Sequence, residues 1–324
     1  MNKKALLFIS AAALAALPMC QQGNVDLHPA GMVTAQDSEA DRLLASARAS
    51  MKANKIAAAI RSYKQIAYYH PLAPCAPQAR YELGQAYEAR LDYREAFRQY
   101  DRLIERYPQS PLYKTALDRQ LAMAFSAAKS EMKVDVFWGL WSADMDSTVV
   151  VEWLRNIIAK APYNDMAATA SSILADFLIK QKREEEARAE YARLVENYPD
   201  SPLAPGAQLM VAQLWAKSNL RGETENLVNL SRAREAYEEF SLRFPNHKDA
   251  RKALSQASNM ERLMVQQQLH VGRYYLERSR EYTSAIFCFE DVIRQKSVNP
   301  EAAAEAERLL KTARAAKAAA QLRR

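Results

Sequence analysis

The sequence predicts an all-α fold, a right-handed superhelical solenoid of about six helix pairs with a C-terminal capping helix. Glycine is scarce, with 7 residues in 324, so the positive φ angles that hairpin turns need are rarely available. Ala, Leu, Glu, Arg and Lys are abundant, and they favour helix throughout the chain. A motif of fixed spacing also recurs, which is typical of repeat architectures.

The recurring motif predicts one amphipathic helix per copy. A small residue is followed by a large apolar residue four positions later, another after three more, and a proline after a further five. Residues at i, i+4 and i+7 share one helix face, and proline ends the helix. The six copies are Ala59-Tyr63-Ile66-Pro71, Ala96-Tyr100-Leu103-Pro108, Val150-Leu154-Ile157-Pro162, Ala187-Tyr191-Leu194-Pro199, Ala233-Tyr237-Phe240-Pro245 and Ala285-Phe289-Val292-Ser297, the last without its proline.

The second copy has a clear partner helix upstream. Leu83, Gly84 and Tyr87 share one face of that helix, and Gly84 removes the side chain where two helices would cross. Together with the second copy they match the tetratricopeptide (TPR) signature, so the chain resembles a TPR array. We expect this array over residues 38–298, with units ending near 71, 108, 162, 199, 245 and 297, followed by a basic, alanine-rich helix over 299–324.

Three steps between units exceed the basal 37 residues, and the longest of them contains an aromatic insertion. This step adds Val136–Trp141, which includes Trp138 and Trp141. Insertions in repeat arrays often contact partners. The two tryptophans are therefore either a partner-docking patch or a plug for a gap in the array, and both interpretations stay open. A later long step predicts an extended helix from about Lys248 to Leu276.

The N-terminus predicts export of the protein. Residues 1–19 have a basic start and a short apolar stretch, as in a signal peptide. Leu17-Pro18-Met19-Cys20 has the spacing of a bacterial lipobox, although Pro18 and Met19 replace the usual small residues. Cys20 is therefore the predicted lipidation site, and residues 20–37 are the predicted flexible tether. The alternative is ordinary signal cleavage, which would leave a soluble periplasmic protein.

No catalytic or metal-binding motif is present, so we expect a protein that is not an enzyme and holds no cofactor or metal. The histidines are isolated, and no Cys-x-x-Cys or glycine-rich phosphate loop occurs. The net charge of +7 is dispersed along the chain, which argues against nucleic acid as a partner. Cys75 and Cys288 are expected to form no disulfide, because the two ends of an elongated array do not meet.

The concave face of such an array is the predicted peptide groove, and the first helix of each unit forms it. In the second unit the groove positions are Gln78, Tyr81, Gln85 and Glu88, and in the first unit Arg48 belongs to the same face. Aromatic and amide side chains suit an extended, partly apolar peptide, because the amides can hydrogen-bond its backbone.

The C-terminal third of the chain carries a closer resemblance. Ala233–Phe240 leads to Arg243-Phe244-Pro245, and a long charged helix then reaches Tyr274-Tyr275-Leu276-Glu277-Arg278. This stretch is similar to the BamD family of outer-membrane protein assembly lipoproteins, which has five units where this chain shows six. The resemblance implies a lipid-anchored protein at the periplasmic face of the outer membrane. Its implied partners are a BamA-like β-barrel insertase, contacted at Glu277 and Arg278, and unfolded outer-membrane proteins.

A second hypothesis is a periplasmic TPR adaptor of the cell envelope, of the cell-division coordinator or Tol-Pal-associated type. Both hypotheses describe a scaffold that binds other proteins.

Overall fold

The computed structural model describes residues 30–136, 141–162, 165–218 and 226–322, and it describes side chains over 38–133, 143–162, 165–217 and 227–322. The predicted signal peptide and Cys20 therefore lie outside the described residues. The chain forms two compact units, one up to Leu83 and one from Gly84 onward.

The first unit is built on an antiparallel helix pair. Helix α1 (Ala30–Lys52) and helix α2 (Ile56–Tyr69) are joined by three residues, and Asn54 at the middle of this connection has a φ of 55°. Helix α3 (Ala76–Ala89) begins in this unit. Helix α1 includes the last eight residues of the segment that was predicted as a tether, so helix begins earlier than position 38.

The second unit continues the alternation of helix pairs and ends in a single helix. Its elements after α3 are α4 (Tyr93–Arg106), α5 (Leu112–Ala128), β1 (Lys133–Val136), β2 (Trp141–Asp144), α6 (Ser147–Lys160), α7 (Asp165–Lys180), α8 (Glu184–Asn197), α9 (Ala204–Ser218), α10 (Asn226–Arg243), α11 (Ala250–Tyr274), a π-helical turn (Tyr275–Ser279), α12 (Tyr282–Arg294) and α13 (Pro300–Leu322). The extended helix predicted near Lys248–Leu276 is confirmed as α11 and its π-helical turn.

The recurring motif forms the inward face of the second helix in each pair. All its small and large apolar positions are at most 5% exposed, from Ala59 in the first copy to Val292 in the last. The helices that carry the first five copies each end two residues before the motif's proline. Burial of these apolar side chains is the main force that holds each pair together. The predicted all-α class and helix pairs are confirmed.

Two glycines allow aromatic rings to lie directly on a helix backbone. A Cβ atom at Gly84 would lie 2.5 Å from Cε1 of Tyr100, and one at Gly272 would lie 2.7 Å from Cε1 of Phe289. Tyr100 and Phe289 occupy the same motif position in different units. The expected role of Gly84 at a helix crossing is therefore confirmed, and the same arrangement recurs at Gly272.

Two paired β-strands flank the aromatic insertion, so the expectation of helix throughout is wrong at this point. Strands β1 and β2 pair antiparallel, with Lys133 opposite Asp144 and Val136 opposite Trp141. The β-branched valines of β1 favour an extended strand, and this local preference outweighs the helical composition of the whole chain. Trp138 lies outside the described residues, and the side chain of Trp141 is not described, so docking patch and plug both remain hypotheses.

The C-terminal helix α13 packs on α12 and begins at an asparagine cap. Oδ1 of Asn299 accepts a hydrogen bond from the Ala302 amide at 3.1 Å, which satisfies a helix-start N–H group. Leu309 and Leu310 pack on the core that Phe289 and Val292 help to form. The helix therefore covers the apolar side of the last pair, as a terminal repeat requires.

Candidate functional site

Helix α3 carries four of the five predicted groove residues. Gln78, Tyr81, Gln85 and Glu88 follow one another at intervals of three or four residues, so they lie along one stripe of the helix. Gln85 is exposed, while the other three are half-buried.

In the first unit, the carboxylate of Glu82 is the centre of a hydrogen-bonded cluster. Nε and Nη2 of Arg48 donate to its two oxygens at 2.9 and 2.5 Å. The Tyr63 hydroxyl donates to Oε2 at 2.9 Å, and Nε2 of Gln78 donates to Oε1 at 2.7 Å. The side chain of Glu82 is 13% exposed. The cluster therefore joins α1, α2 and α3.

The pKa of Glu82 reflects two opposing effects. Burial raises this pKa, but the hydrogen bonds from Arg48, Gln78 and Tyr63 outweigh burial, and the pKa lies below its ordinary value. Burial, together with the hydrogen bond to Glu82, raises the pKa of Tyr63. The hydrogen bond to Glu82 raises the pKa of Arg48 despite some desolvation. At neutral pH the carboxylate is charged and the tyrosine is neutral, which is the state that the cluster stabilises.

In the second unit, Glu88 is the centre of a similar cluster. The Tyr100 hydroxyl donates to its Oε1, and Nε of Arg119 donates to the same oxygen at 2.9 Å. Nη2 of Arg119 donates to the second oxygen, so the arginine binds the carboxylate with two bonds. The cluster joins the end of α3 to α4 and α5. A related pair occurs where the Tyr191 hydroxyl donates to Asp176.

Three of the predicted groove residues therefore form hydrogen bonds with other side chains of the protein. Arg48 and Gln78 bind Glu82, and Glu88 binds Tyr100 and Arg119. Their observed role is to hold neighbouring helices together, which leaves Gln85 as the groove residue that faces solvent most openly.

Sequence reasoning missed the central role of Glu82 and the contribution of Arg119. A pattern in the sequence could have indicated these clusters. It is a carboxylate on the first helix of a unit combined with a tyrosine at the second motif position of an adjacent helix, and the three tyrosines that form such a bond are Tyr63, Tyr100 and Tyr191.

A cavity of about 230 Å³ lies between α4 and α6. The rings of Phe97 and Trp153 stack at its lining with a centroid distance of 4.4 Å and an interplanar angle of 4°. Charged side chains of both signs also line its wall, namely Arg94, Arg98, Asp101 and Glu152. Oδ1 of Asn156 is buried there and accepts no hydrogen bond from the described residues. Two stacked aromatic rings and an amide oxygen that accepts no hydrogen bond from the described residues therefore lie in one cavity. The sequence did not predict this cavity.

The predicted insertase-contact residues lie in the π-helical turn after α11. Glu277 and Arg278 are both exposed, and Arg280 ends the turn with a φ of 56°. One turn earlier, Arg273 forms an ion pair with Glu305 of α13. Arg273 therefore has a partner within the protein, whereas Glu277 and Arg278 extend from the surface.

The other polar residues considered from the sequence, His247 and Cys288 among them, belong to the local structure of a turn or a helix. Nδ1 of His247 accepts a hydrogen bond from the Asp249 amide at 3.2 Å, in the turn before α11. Burial raises the pKa of the Cys288 thiol. No disulfide joins the cysteines that the structure describes, and no group of three metal-ligating side chains occurs among the described residues.

Across the described part of the chain, every helix is too short or too polar to cross a bilayer.

Comparison with known families identifies the chain at the level of the family. The family model YfiO, described as "Outer membrane lipoprotein", matches residues 36–219. This range is more than half of the chain. The protein belongs to the YfiO family of outer membrane lipoproteins. The resemblance drawn from the sequence is therefore confirmed at this level. The match includes the last two residues of the predicted tether and ends before Ala233–Arg278, the stretch that carried the resemblance.

Solved structures with some similarity include two tetratricopeptide repeat proteins and MamA. A tetratricopeptide repeat protein from Parabacteroides merdae is 11% identical, with 85% of this chain and 99% of that chain covered and a TM-score of 0.31. MamA from Desulfovibrio magneticus is 14% identical, with 70% and 96% covered and a TM-score of 0.28. The TPR2AB domain of yeast Sti1 in a pHSP90 complex is 16% identical, with 68% and 99% covered and a TM-score of 0.26. We draw no functional argument from TM-scores of this size. No curated protein sequence matches the chain.

Proposed function

We propose that the protein is a lipid-anchored, non-enzymatic scaffold at the periplasmic face of the outer membrane. In this proposal it binds the periplasmic domains of a BamA-like β-barrel insertase and unfolded outer-membrane proteins during assembly. The observation that carries the proposal is the match to a family of outer membrane lipoproteins over residues 36–219. The anchor in this proposal is an acyl group on Cys20.

The substrate-binding part of the proposal rests on α3. The exposed amide of Gln85 can donate to and accept from the backbone of an extended peptide, and the ring of Tyr81 offers an apolar contact one turn away. The Glu82 cluster fixes α3 within the first unit, and the Glu88 cluster fixes its end within the second. A helix held in this way is preorganised, so less entropy is lost when a peptide binds.

The insertase-binding part of the proposal rests on the π-helical turn. Glu277 and Arg278 present one charge of each sign at an exposed helix end. Exposed charges of this kind contribute to the rate and specificity of association more than to affinity. An oppositely charged pair on the insertase would therefore orient the two proteins as they meet.

Affinity purification of the tagged protein from detergent-solubilised membranes tests the proposal. Co-purification of a large β-barrel insertase with the unsubstituted protein, and its reduction with Arg278→Glu, would support it. Arg251→Glu is the matched control, because Arg251 is also an exposed arginine and lies at the opposite end of α11 from the π-helical turn. Recovery of only cell-wall or Tol-Pal components would contradict the proposal and favour the envelope-adaptor hypothesis.

Metabolic labelling with a fatty acid tests the anchor separately. We expect label on the unsubstituted protein and none on Cys20→Ala. An equal signal from both proteins, or none from either, would contradict lipidation at Cys20.

A further inference from the structure

The end of α2 and the start of the turn that follows it expose a compact apolar surface, which we call the tyrosine turn (residues 68–72). Tyr69 is 74% exposed, Leu72 is 60% exposed and Tyr68 is 54% exposed. Single exposed apolar residues are common on soluble proteins, but three within five residues form a patch. The repeat core does not use this patch, because the buried motif residues of the same helix are Ala59, Tyr63 and Ile66.

The backbone of the tyrosine turn is ordered. The Ala73 amide donates to the carbonyl of His70 at 3.1 Å, and the Ala76 amide donates to the carbonyl of Ala73 at 2.9 Å. Pro71 and Pro74 restrict the φ angles of the segment between the helices. The apolar side chains are therefore presented on a stiff turn, so little backbone entropy would be lost if they bound a surface.

The tyrosine turn lies at the end of the first helix pair that is nearest to the predicted anchor. Helix α1 has 23 residues and α2 has 14, which correspond to lengths of about 34 and 21 Å. The two helices share a short connection at one end, so the extra length of α1, about 13 Å, projects past Tyr69 at the other end. Ala30 and the tyrosine turn therefore belong to the same end of this pair.

The reach of the chain permits a common surface for the anchor and the turn. Ten peptide steps separate Cys20 from Ala30, and they span at most about 33 Å. This reach exceeds the 13 Å or so by which α1 projects past Tyr69. An acyl group on Cys20 and the ring of Tyr69 can therefore contact one bilayer at the same time when the helix pair lies along its surface. In an upright pair the end of α1 would stand between the turn and the lipid.

Charge neither prevents such a contact nor drives it. Tyr69 lies at the end of α2 that is far from the connection to α1. The charged α1 residues at about the same distance from this connection are Glu39, Asp41 and Arg42, and all three are exposed. In α2, Arg61 and Lys64 are basic and no residue is acidic. Because these charges nearly balance, apolar contact is what attracts the tyrosine turn to a lipid surface. This attraction does not require anionic lipid.

We propose that the tyrosine turn docks on the lipid surface as a second, non-covalent membrane contact. Tyrosine suits this position, since its ring is apolar and its hydroxyl remains in the hydrated headgroup layer. Leu72 adds apolar area to the same contact. A single lipid anchor leaves a protein free to tilt, whereas a second contact fixes the orientation of the first helix pair. The inference rests on the lipid anchor of the proposed function.

The test uses a tether that does not depend on acylation. The chain from residue 20 carries Cys20→Ser and an N-terminal histidine tag, and it is attached to phosphatidylcholine vesicles that contain a nickel-chelating lipid. Tyr69→Trp supplies a fluorescent probe, and the parent protein gives the background emission of its own tryptophans. Leu242→Trp is the control, because Leu242 is 82% exposed on α10.

Docking predicts that the emission added by Tyr69→Trp shifts to the blue on the vesicles and is lost when the lipid is brominated. The emission added by Leu242→Trp should stay unchanged. The proposal is overturned if the two probes behave alike, or if Tyr69→Trp is already blue-shifted without vesicles, which would mean that another part of the chain or a second copy covers the turn. Because the tag replaces the acyl group, failure here is distinct from failure of lipidation at Cys20.

Discussion

Arg48 on α1 binds both carboxylate oxygens of Glu82 on α3, with Nε at 2.9 Å from Oε2 and Nη2 at 2.5 Å from Oε1. The bidentate geometry is specific to arginine, because a lysine would supply only a point charge. A residue that the sequence assigned to the peptide groove thus holds the first and third helices together. The structure and the proposed function lead to five predictions.

Arg48→Ala is expected to destabilise the first unit. Charge-assisted hydrogen bonds contribute about 1.5–3 kcal/mol, and we expect about 1–2 kcal/mol because the Arg48 side chain is 48% exposed and partly screened. Arg42→Ala is the control, since Arg42 is an exposed arginine on the same helix. Chemical denaturation measures the free energy of unfolding of both variants. Equal stability of the two variants would show that the Arg48–Glu82 pair contributes nothing.

The stability of the protein should fall on acidification through Glu82. Its pKa is lowered from the ordinary value of 4.5 in the folded protein, so its contribution is present above that value and is lost as the pH falls through the folded-state pKa. Glu82→Gln should therefore unfold at a temperature that depends less on pH between about 6 and 3 than the unsubstituted protein. Parallel curves of melting temperature against pH would contradict this assignment.

Gly84→Ala and Gly206→Ala should have opposite effects. A Cβ atom at Gly84 would overlap the Tyr100 ring, and relieving such overpacking typically costs about 1–3 kcal/mol. No atom lies within 4 Å of a Cβ atom at Gly206, so alanine there should stabilise α9 by up to about 1 kcal/mol. Thermal unfolding of the two variants provides the comparison. A neutral Gly84→Ala would mean that the Tyr100 ring can move aside freely.

The stripe of α3 that carries Tyr81 and Gln85 should bind an extended peptide. Tyr81→Ala combined with Gln85→Ala is expected to weaken binding of a barrel-protein C-terminal peptide about tenfold, which corresponds to about 1.4 kcal/mol. Gln65→Ala on α2 is the control for loss of an exposed amide. Fluorescence anisotropy of a labelled peptide measures the affinity. Unchanged affinity in the double variant would rule out this groove.

The aromatic insertion can be assigned by two measurements on one variant. If Trp138 and Trp141 plug a gap, replacing both with alanine should lower the melting temperature, because large apolar side chains leave the core. If they form a docking patch, the melting temperature should hold while insertase recovery falls. Trp153→Ala is the reference for loss of a tryptophan from the core, since Trp153 is 5% exposed.

Local sequence patterns were sufficient for the fold but not for the polar clusters. The motif positions at Tyr63 and Tyr100 repeat at helical spacing, so their burial follows from periodicity alone. Gln78 is four positions from Glu82, but the other partners of Glu82 and Glu88 lie 12 to 34 positions away, and helical periodicity carries no information about such distant pairs. Groove residues were consequently chosen by helix face, and three of them proved to be bound inside the protein.

The hairpin at β1 and β2 was missed for a different reason. Composition averaged over 324 residues favours helix, whereas the strand pairing at Lys133–Asp144 is favoured locally by Val134 and Val136 of β1. The π-helical turn at Tyr275–Ser279 likewise has no signature in the motif.

Site-specific photo-crosslinking in cells tests the central claim most directly. A photoreactive amino acid at position 278 would be compared with one at Leu242, which is also exposed but lies in α10. The proposed function predicts a crosslink from position 278 to a large outer-membrane β-barrel protein and none from position 242. Crosslinks from position 278 only to cell-wall or Tol-Pal proteins would contradict it.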